Sequence, residues 1–401
     1  MKTIKEPVRN TEVYGEYDVV VAGGGIAGIA AALAAARNGA KTVLLESEYL
    51  LGGLATVGVV TNYLPICDGK GTQISFGIAE ELLKLSIKHG YEKQYPKAWI
   101  ENGTAEEKAE KRYQVYYNPN VFAILCEQLL IKEGVEILYG THLVGGIRNE
   151  TGDFLKAALI ETRGGRYALL GKSFIDATGD ASLYRFVGET TDKTLKGNTL
   201  AWWFYELLDG EMHVRERGSR DIDSATGISV GGFEGIDARE LSDKTAKVHE
   251  KLLDGFLENG EESLRHTLAI IPTIPDVRMT RKVIGEYEID RIPHNKKYFE
   301  DSVGTFPDWI RRGPCYELPF RCLWSKNLKN CGVAGRCIST TQDMWEITRV
   351  IPVCAVSGEA IGTAAAICND FSKIDIADLQ KTLKKAGVSI HLSDLGIAYE
   401  N

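Results

Sequence analysis

Eighteen consecutive residues, Val19 to Ala36, carry no charge, and four glycines, at 23, 24, 25 and 28, are bunched in their middle. A run of that length meets the threshold for a membrane span. Its internal order points elsewhere. β-branched residues come first, in Tyr17-Asp-Val-Val-Val-Ala22, the glycines follow, and alanines fill the remainder up to Arg37. That order predicts a buried strand, a tight turn and a helix, and no membrane span. Gly39 stands at a helix C-cap position, and Lys41-Thr-Val-Leu-Leu-Glu46 supplies a second strand. The unit is βαβ, right-handed by the usual rule.

Within it, Gly23-x-Gly25-x-x-Gly28 has the spacing of a dinucleotide fingerprint. The first glycine permits the turn, the second lets a pyrophosphate approach, and the third lets helix pack on strand. The helix N-terminus then offers free N–H groups to phosphate, with Ile26 and Ala27 in its first turn. Glu46 ends the second strand 18 residues past Gly28, where a carboxylate can accept hydrogen bonds from ribose hydroxyls, and Ser47 follows it. With no arginine beside Glu46, a 2′-phosphate is disfavoured there.

Composition narrows the class of partner. The chain has 401 residues, a formal net charge of −8, 42 glycines and 11 prolines. Glycine without a G-X-Y period excludes collagen, and an acidic balance argues against nucleic acid as a main partner. Met1 to Glu16 has no apolar core of a secretory signal. The eight cysteines, at 67, 126, 315, 322, 331, 337, 354 and 368, form no CxxC or CxxxxC pair. Reduced, mostly buried thiols, no metal site and a cytoplasmic location are expected.

Further along, Asn118-Pro119 opens a helix through Leu129, and Gly134 to Leu138 reads as a strand. Residues 141–148, 155–162 and 167–170 read as an antiparallel meander, and Ser173 to Asp180 as a separate buried strand entering a glycine turn. Residues 191–325 change texture, with charged helical pieces over 239–267, a Pro-rich Ile271 to Pro275, and Trp202, Trp203 and Trp309. Nucleotide-like patterning returns at Asn330 to Arg336. A small-residue helix over about 352–369 and an amphipathic helix over 375–387 close the chain. The expected fold is α/β: a Rossmann-like dinucleotide-binding domain with a central parallel sheet and an antiparallel β-meander, carrying an inserted α+β substrate lobe. Its boundaries are expected at 1–64, 115–190 and 330–401 for the discontinuous nucleotide domain. A connecting segment spans 65–114, and the lobe spans 191–329.

Two more glycine turns bear on which dinucleotide is bound. Leu51-Gly-Gly-Leu-Ala-Thr-Val-Gly58 lets backbone pass close to something large, as does Ala177-Thr-Gly-Asp180. Together these residues resemble the FAD-binding oxidoreductases of the glutathione-reductase-like superfamily. Three C-terminal blocks narrow the resemblance to the FAD-dependent oxidoreductase family of bacterial flavoproteins. They are Tyr316-Glu-Leu-Pro-Phe-Arg-Cys-Leu, Val333-Ala-Gly-Arg-Cys-Ile-Ser339, and the run from Arg349 to Ala366. The segment Arg278-Met-Thr-Arg281-Lys-Val-Ile-Gly-Glu-Tyr287 is similar too. The likeness covers roughly 17–190 and 270–390.

The resemblance implies non-covalent FAD, hydride transfer with a small organic substrate, and a possible separate electron donor or acceptor. It implies cofactor contacts from Gly23, Gly25, Ile26, Ala27, Gly28, Glu46, Ser47, Gly52, Gly53, Leu54, Ala55, Thr56, Leu143, Ala177, Thr178 and Gly179. It also implies contacts from Gly335, Arg336, Arg349, Val350 and Ile351, with the helix after Arg349 aimed at the flavin N1–C2=O edge. Ten glycines, the six at 23, 24, 25, 28, 52 and 53 and those at 179, 335, 358 and 362, are expected as backbone approaches along the dinucleotide, with packed core as the alternative for Gly358 and Gly362 in their helix. Where family members often carry a histidine after the Ile-Ser-x-Thr turn, this chain has Gln342, Asp343, Met344 and Trp345, so that either the histidine's proton work is missing here or Trp345 reshapes the pocket, a different substrate being expected in both cases. Arg281, Arg278 and His294 are the candidates for catalysis or substrate binding, Arg281 foremost for a carboxylate. Two rivals stay open: a thiazole-synthase-like enzyme that binds NAD, and a flavin-binding electron-transfer or assembly subunit.

Overall fold

The computed structural model describes residues 2–88, 95–193, 198, 200–219, 232–258 and 266–400. From the N-terminus come β1 (Glu12–Ala22), α1 (Ile26–Arg37), β2 (Thr42–Leu45), β3 (Asn62–Tyr63), α2 (Ile78–Ile87), α3 (Lys97–Ile100), α4 (Ala105–Glu110) and β4 (Val115–Tyr116). Next are α5 (Pro119–Lys132), β5 (Glu136–Leu138), β6 (His142–Arg148), β7 (Leu155–Thr162), β8 (Gly165–Asp176) and α6 (Ser182–Phe186). The middle of the chain holds β9 (Thr191–Lys193), β10 (Leu200–Leu208), β11 (Glu211–Ser219), α7 (Ala238–Glu258), β12 (His266–Ile270) and β13 (Arg281–Val283). The chain finishes with β14 (Ser302–Pro307), β15 (Cys315–Pro319), β16 (Cys331–Val333), α8 (Gln342–Thr348), α9 (Ile351–Ile367) and α10 (Ile376–Lys385). Residues 259–265 of the expected charged helical stretch lie outside the described residues.

The central sheet runs β5-β2-β1-β8-β7-β6, and β16 also pairs with β8. β1, β2, β5, β8 and β16 are mutually parallel, whereas β6, β7 and β8 form an antiparallel meander. The uncharged run divides as its composition dictates: Val19 to Ala22 pair with Thr42 to Leu45, and α1 begins at Ile26. Among the described residues no single helix is long and apolar enough to cross a membrane.

One expectation is corrected here. The strands anticipated at 167–170 and from 173 are a single strand, β8. Its first half pairs antiparallel with β7 through Thr162↔Gly165 to Ala157↔Leu170, and its second half pairs parallel with β16 through Phe174↔Cys331 to Asp176↔Val333. The change of partner falls at Gly171-Lys172, where the sequence reads as a break.

α9 packs across α1 with almost no side chain between them. A Cβ on Gly358 would lie 2.2 Å from the Ala27 carbonyl oxygen, and one on Gly362 would lie 2.2 Å from that of Ala31. These two glycines therefore serve a helix–helix crossing, which is the packed-core alternative and not the dinucleotide approach. The main core includes α1, α9, β1, β2 and β8, and also takes Ile289, Val303, Phe306, Tyr316 and Leu318 from the stretch 283–329. A second, small core of Trp202, Phe204, Val248 and Leu252 joins β10 to α7. Trp202 is thus a packing residue, edge-on to His249 at 5.6 Å. All eight cysteines are unpaired, and seven are buried.

Candidate functional site

A cleft of about 490 Å³ opens at the carboxyl ends of β1 and β2, where ligands gather in open α/β sheets. Its floor is the first glycine turn. Gly23, at φ +105°, turns the chain out of β1, and Gly28 lies so close beneath that a Cβ there would stand 1.8 Å from the Gly23 carbonyl oxygen. Gly28 accordingly packs under the turn and does not line the cleft. Gly25 caps α1 without a side chain, and a Cβ on it would meet nothing within 4 Å. The unpaired amides of the first turn of α1 therefore face open space.

Glu46 closes one end of the cleft. Its carboxylate accepts from the Gly24 amide at 3.0 Å, the Ser47 hydroxyl at 3.0 Å and the Glu48 amide at 2.8 Å. Burial raises its pKa above the ordinary carboxylate value, and those three donors oppose the shift. The second glycine turn is tied to the first: the Gly52 amide donates to the Gly24 carbonyl at 2.8 Å. Gly52, Gly53, Leu54 and Ala55 then line the cleft, whereas Thr56 turns away and donates its hydroxyl to the Leu51 carbonyl.

The opposite wall comes from β6, β8 and the C-terminal third of the chain. Leu143, Ala177, Thr178, Gly179, Gly335 and Arg336 line it. The Thr178 amide and hydroxyl both donate to buried Asp176, at 3.1 and 2.7 Å, which fixes the Ala-Thr-Gly turn. Gly335, at φ +73°, donates its amide to Ser357 at 2.9 Å. Arg336 spans the cleft wall, bonding the Val277 carbonyl and lying 3.9 Å from Asp180.

The far end is the start of α9. Val350 caps this helix without a side-chain hydrogen bond and does not itself line the cleft, while Ile351, Cys354 and Arg349 do. Arg349 is held by Glu346, through Nε at 3.1 Å. Burial pushes the Cys354 thiol up to about 12, so it stays neutral at the mouth of the helix.

The catalytic candidates fall outside this cleft. His294 is packed between Tyr287 and Phe299. Its Nδ1 accepts from the Asp290 amide at 2.7 Å, and its Nε2 meets the Tyr287 hydroxyl at 2.8 Å. Burial lowers its pKa, so it is a neutral structural histidine. Arg278 pairs with Asp276 at 3.4 Å and Glu216 at 3.7 Å. Arg281 opens β13 and is off the lining; its neighbour Thr280 is the residue that meets Asp180, at 2.6 Å. Trp345 is wholly buried and absent from the lining, so it fills core and does not shape the cleft.

Sequence reasoning missed the outer wall, Ile274, Pro275 and Val277. The Thr273 amide, 3.0 Å from the Val57 carbonyl, pins this segment over the second glycine turn. An aperiodic loop carries no helix or strand signal, and its prolines were the available clue.

The sequence pattern of the family described as FAD dependent oxidoreductase matches residues 18–198 and 189–383. The chain belongs to that family. Its cofactor is FAD. Among curated proteins, a thioredoxin reductase of Ureaplasma parvum is 36% identical over 83 residues, 21% of this chain and 26% of that protein. The tRNA uridine 5-carboxymethylaminomethyl modification enzyme of Aquifex aeolicus is 32% identical over 168 residues, 38% of this chain and 25% of that one. The chain thus spans about a quarter of each curated relative it matches. Among solved structures, a geranylgeranyl bacteriochlorophyll reductase-like protein of Thermoplasma acidophilum aligns at TM-score 0.45 with 14% identity, covering 95% of this chain and 86% of that one. The p-nitrophenol 4-monooxygenase of Pseudomonas putida aligns at TM-score 0.49 with 15% identity, covering 92% and 84%.

Proposed function

We propose that this family member holds FAD non-covalently along the cleft and transfers a hydride between it and a small organic substrate. The observation that carries the reading is the pair of uncapped helix N-termini, α1 and α9, opening into one cleft that Glu46 closes at its other end. The residues suit the group. Glu46 would accept from the adenosine ribose, the α1 amides would take the pyrophosphate, and Gly335, its own amide bonded to Ser357, would lie alongside it. Ile351 and Arg349 would face the isoalloxazine. When bound, the flavin supplies two-electron redox chemistry.

The protein's own part is positional and electrostatic. The α9 amides, together with the Arg349 guanidinium held by Glu346, would place positive potential beside a bound flavin and so favour its anionic reduced form. Leu54, Val57, Ile274 and Pro275 supply apolar surface along the cleft. The lobe built on β10, β11, β12 and α7 would bring the substrate.

The test is anaerobic. Flavin-loaded protein is mixed with candidate small reductants, then with acceptors, and followed at the flavin absorbance bands. Bleaching and recovery with small molecules alone is the expected result. Flavin that responds to dithionite and light, but turns over only when a protein partner is added, would overturn the stand-alone enzyme in favour of an electron-transfer subunit.

A further inference from the structure

The outer wall of the cleft, with Ile274, Pro275 and Val277, belongs to a stretch between β12 and β13 that forms no helix or strand. Its backbone groups must therefore find partners elsewhere. Three of them are taken by one side chain, that of the wholly buried Asn198. Its Oδ1 accepts from the Arg278 amide at 2.7 Å and from the Met279 amide at 2.9 Å. Its Nδ2 donates to the Met279 carbonyl and also faces those of Glu234 at 3.2 Å and Phe233 at 3.3 Å. The backbone of Asn198 bonds Phe233 as well, donating at 3.4 Å and accepting at 3.0 Å. The amide can sit only this way round, because the reverse would set its NH2 against two N–H donors.

Asn198 does not itself line the cleft, yet what it holds does. The Val277 carbonyl, just before the two amides, accepts from Arg336, which lies against Gly179: a Cβ there would stand 2.2 Å from the Arg336 Nη2. Just after them, the Thr280 hydroxyl meets Asp180 at 2.6 Å. At the other end the Thr273 amide donates to the Val57 carbonyl at 3.0 Å. Residues 273–280 thus form a strap from the second glycine turn to the Ala-Thr-Gly turn. Gly235, at φ +72°, lines the cleft and leaves room for both groups: a Cβ on it would stand 2.5 Å from Val277 and 3.0 Å from the Asn198 Nδ2. One side-chain amide therefore ties residues 233–234 of the inserted lobe to the strap.

We propose that Asn198 is a positioning residue for the cofactor. Acting through Val277 and Arg336, it holds the strap shut over the cleft, and flavin enters and leaves when the strap opens. This rests on the reading of the cleft as the FAD site. Without the Asn198 amide, two buried N–H groups and a carbonyl lose their partner, and the closed strap is weakened accordingly.

The test dilutes flavin-loaded protein and follows FAD release by the rise in flavin fluorescence. Visible circular dichroism of the bound flavin and thermal unfolding are recorded on the same samples. Asn198→Ala should release FAD about tenfold faster, which corresponds to about 1.4 kcal/mol, and alter the flavin dichroism. Leu130→Ala opens a cavity in α5 off the cleft lining. It should lower the unfolding temperature and leave release and dichroism as in the wild type. Thr273→Pro removes the amide given to Val57 at an exposed position, and carries the test if Asn198→Ala does not fold; it too should speed release. Release at the wild-type rate in the folded strap variants, or equal acceleration in Leu130→Ala, would overturn the proposal. A chain that takes up no flavin would remove the FAD reading, and the strap is then judged by hydrogen exchange across 273–280. Faster exchange there in Asn198→Ala would retain the role of Asn198 in holding the strap, and unchanged exchange would overturn it.

Discussion

Glu46 and Glu359 are two buried carboxylates with opposite duties. Glu46 lines the cleft, already holds three donors from its own chain, and keeps the geometry to accept more from a ribose. Glu46→Gln should leave the fold intact and weaken FAD binding by about 1.5–3 kcal/mol, the worth of a hydrogen bond to a charged acceptor. Fluorescence titration of the flavin-free protein measures it. Glu359 sits inside α9, away from the cleft, and accepts from the Ile78 amide at 2.7 Å at the start of α2. Burial raises its pKa from 4.5 to about 8. The native state therefore keeps a proton that the unfolded chain has released, and its contribution to stability is lost as pH rises from 4.5 through 8. Glu359→Gln, whose amide oxygen still accepts from Ile78, should remove that slope of at most about 1.4 kcal/mol per pH unit. Denaturant titrations at pH 6 and pH 9 should show the variant relatively more stable at the higher pH. An unchanged slope would mean that Glu359 does not titrate there.

At the scale of elements, the α1–α9 crossing sets the site, because each helix delivers its N-terminus to the same cleft. The crossing depends on backbone meeting backbone at Gly358 and Gly362. Gly362→Ala should force the helices apart, cost about 1–3 kcal/mol, and lower flavin occupancy without touching a lining residue. Thermal unfolding together with absorbance checks both effects. The βαβ unit was legible because hydrophobic run, glycine spacing and acid all point one way. For Gly358 and Gly362 two readings stayed open, cofactor approach and core packing, since a small-residue stripe reads alike whether it faces a ligand or a helix. β8 was misread at Gly171-Lys172 because a change of partner along one strand leaves only a local glycine in the sequence.

For the whole molecule, the cleft gathers chain from positions as distant as Gly23, Leu143, Val277 and Ile351. Local patterns recovered its glycine turns and its acid, whereas the wall at 274–277 is created by long-range packing that no local period encodes. The same holds for Ile289, Val303 and Phe306, which join the main core from sequence that reads as a separate lobe. Arg349 tests the electrostatic part of the account. Arg349→Met should retain flavin but make it harder to reduce, by about 30 mV for each 1.4 kcal/mol of lost stabilisation, as read from a potentiometric titration. The central claim is met most directly by identifying what the purified chain carries. The protein is denatured and the supernatant analysed for flavin and nicotinamide nucleotides. The account predicts about one FAD per chain, released by denaturation alone. A colourless chain that takes up NAD and no FAD, or a flavin that stays with the precipitated protein, would contradict it.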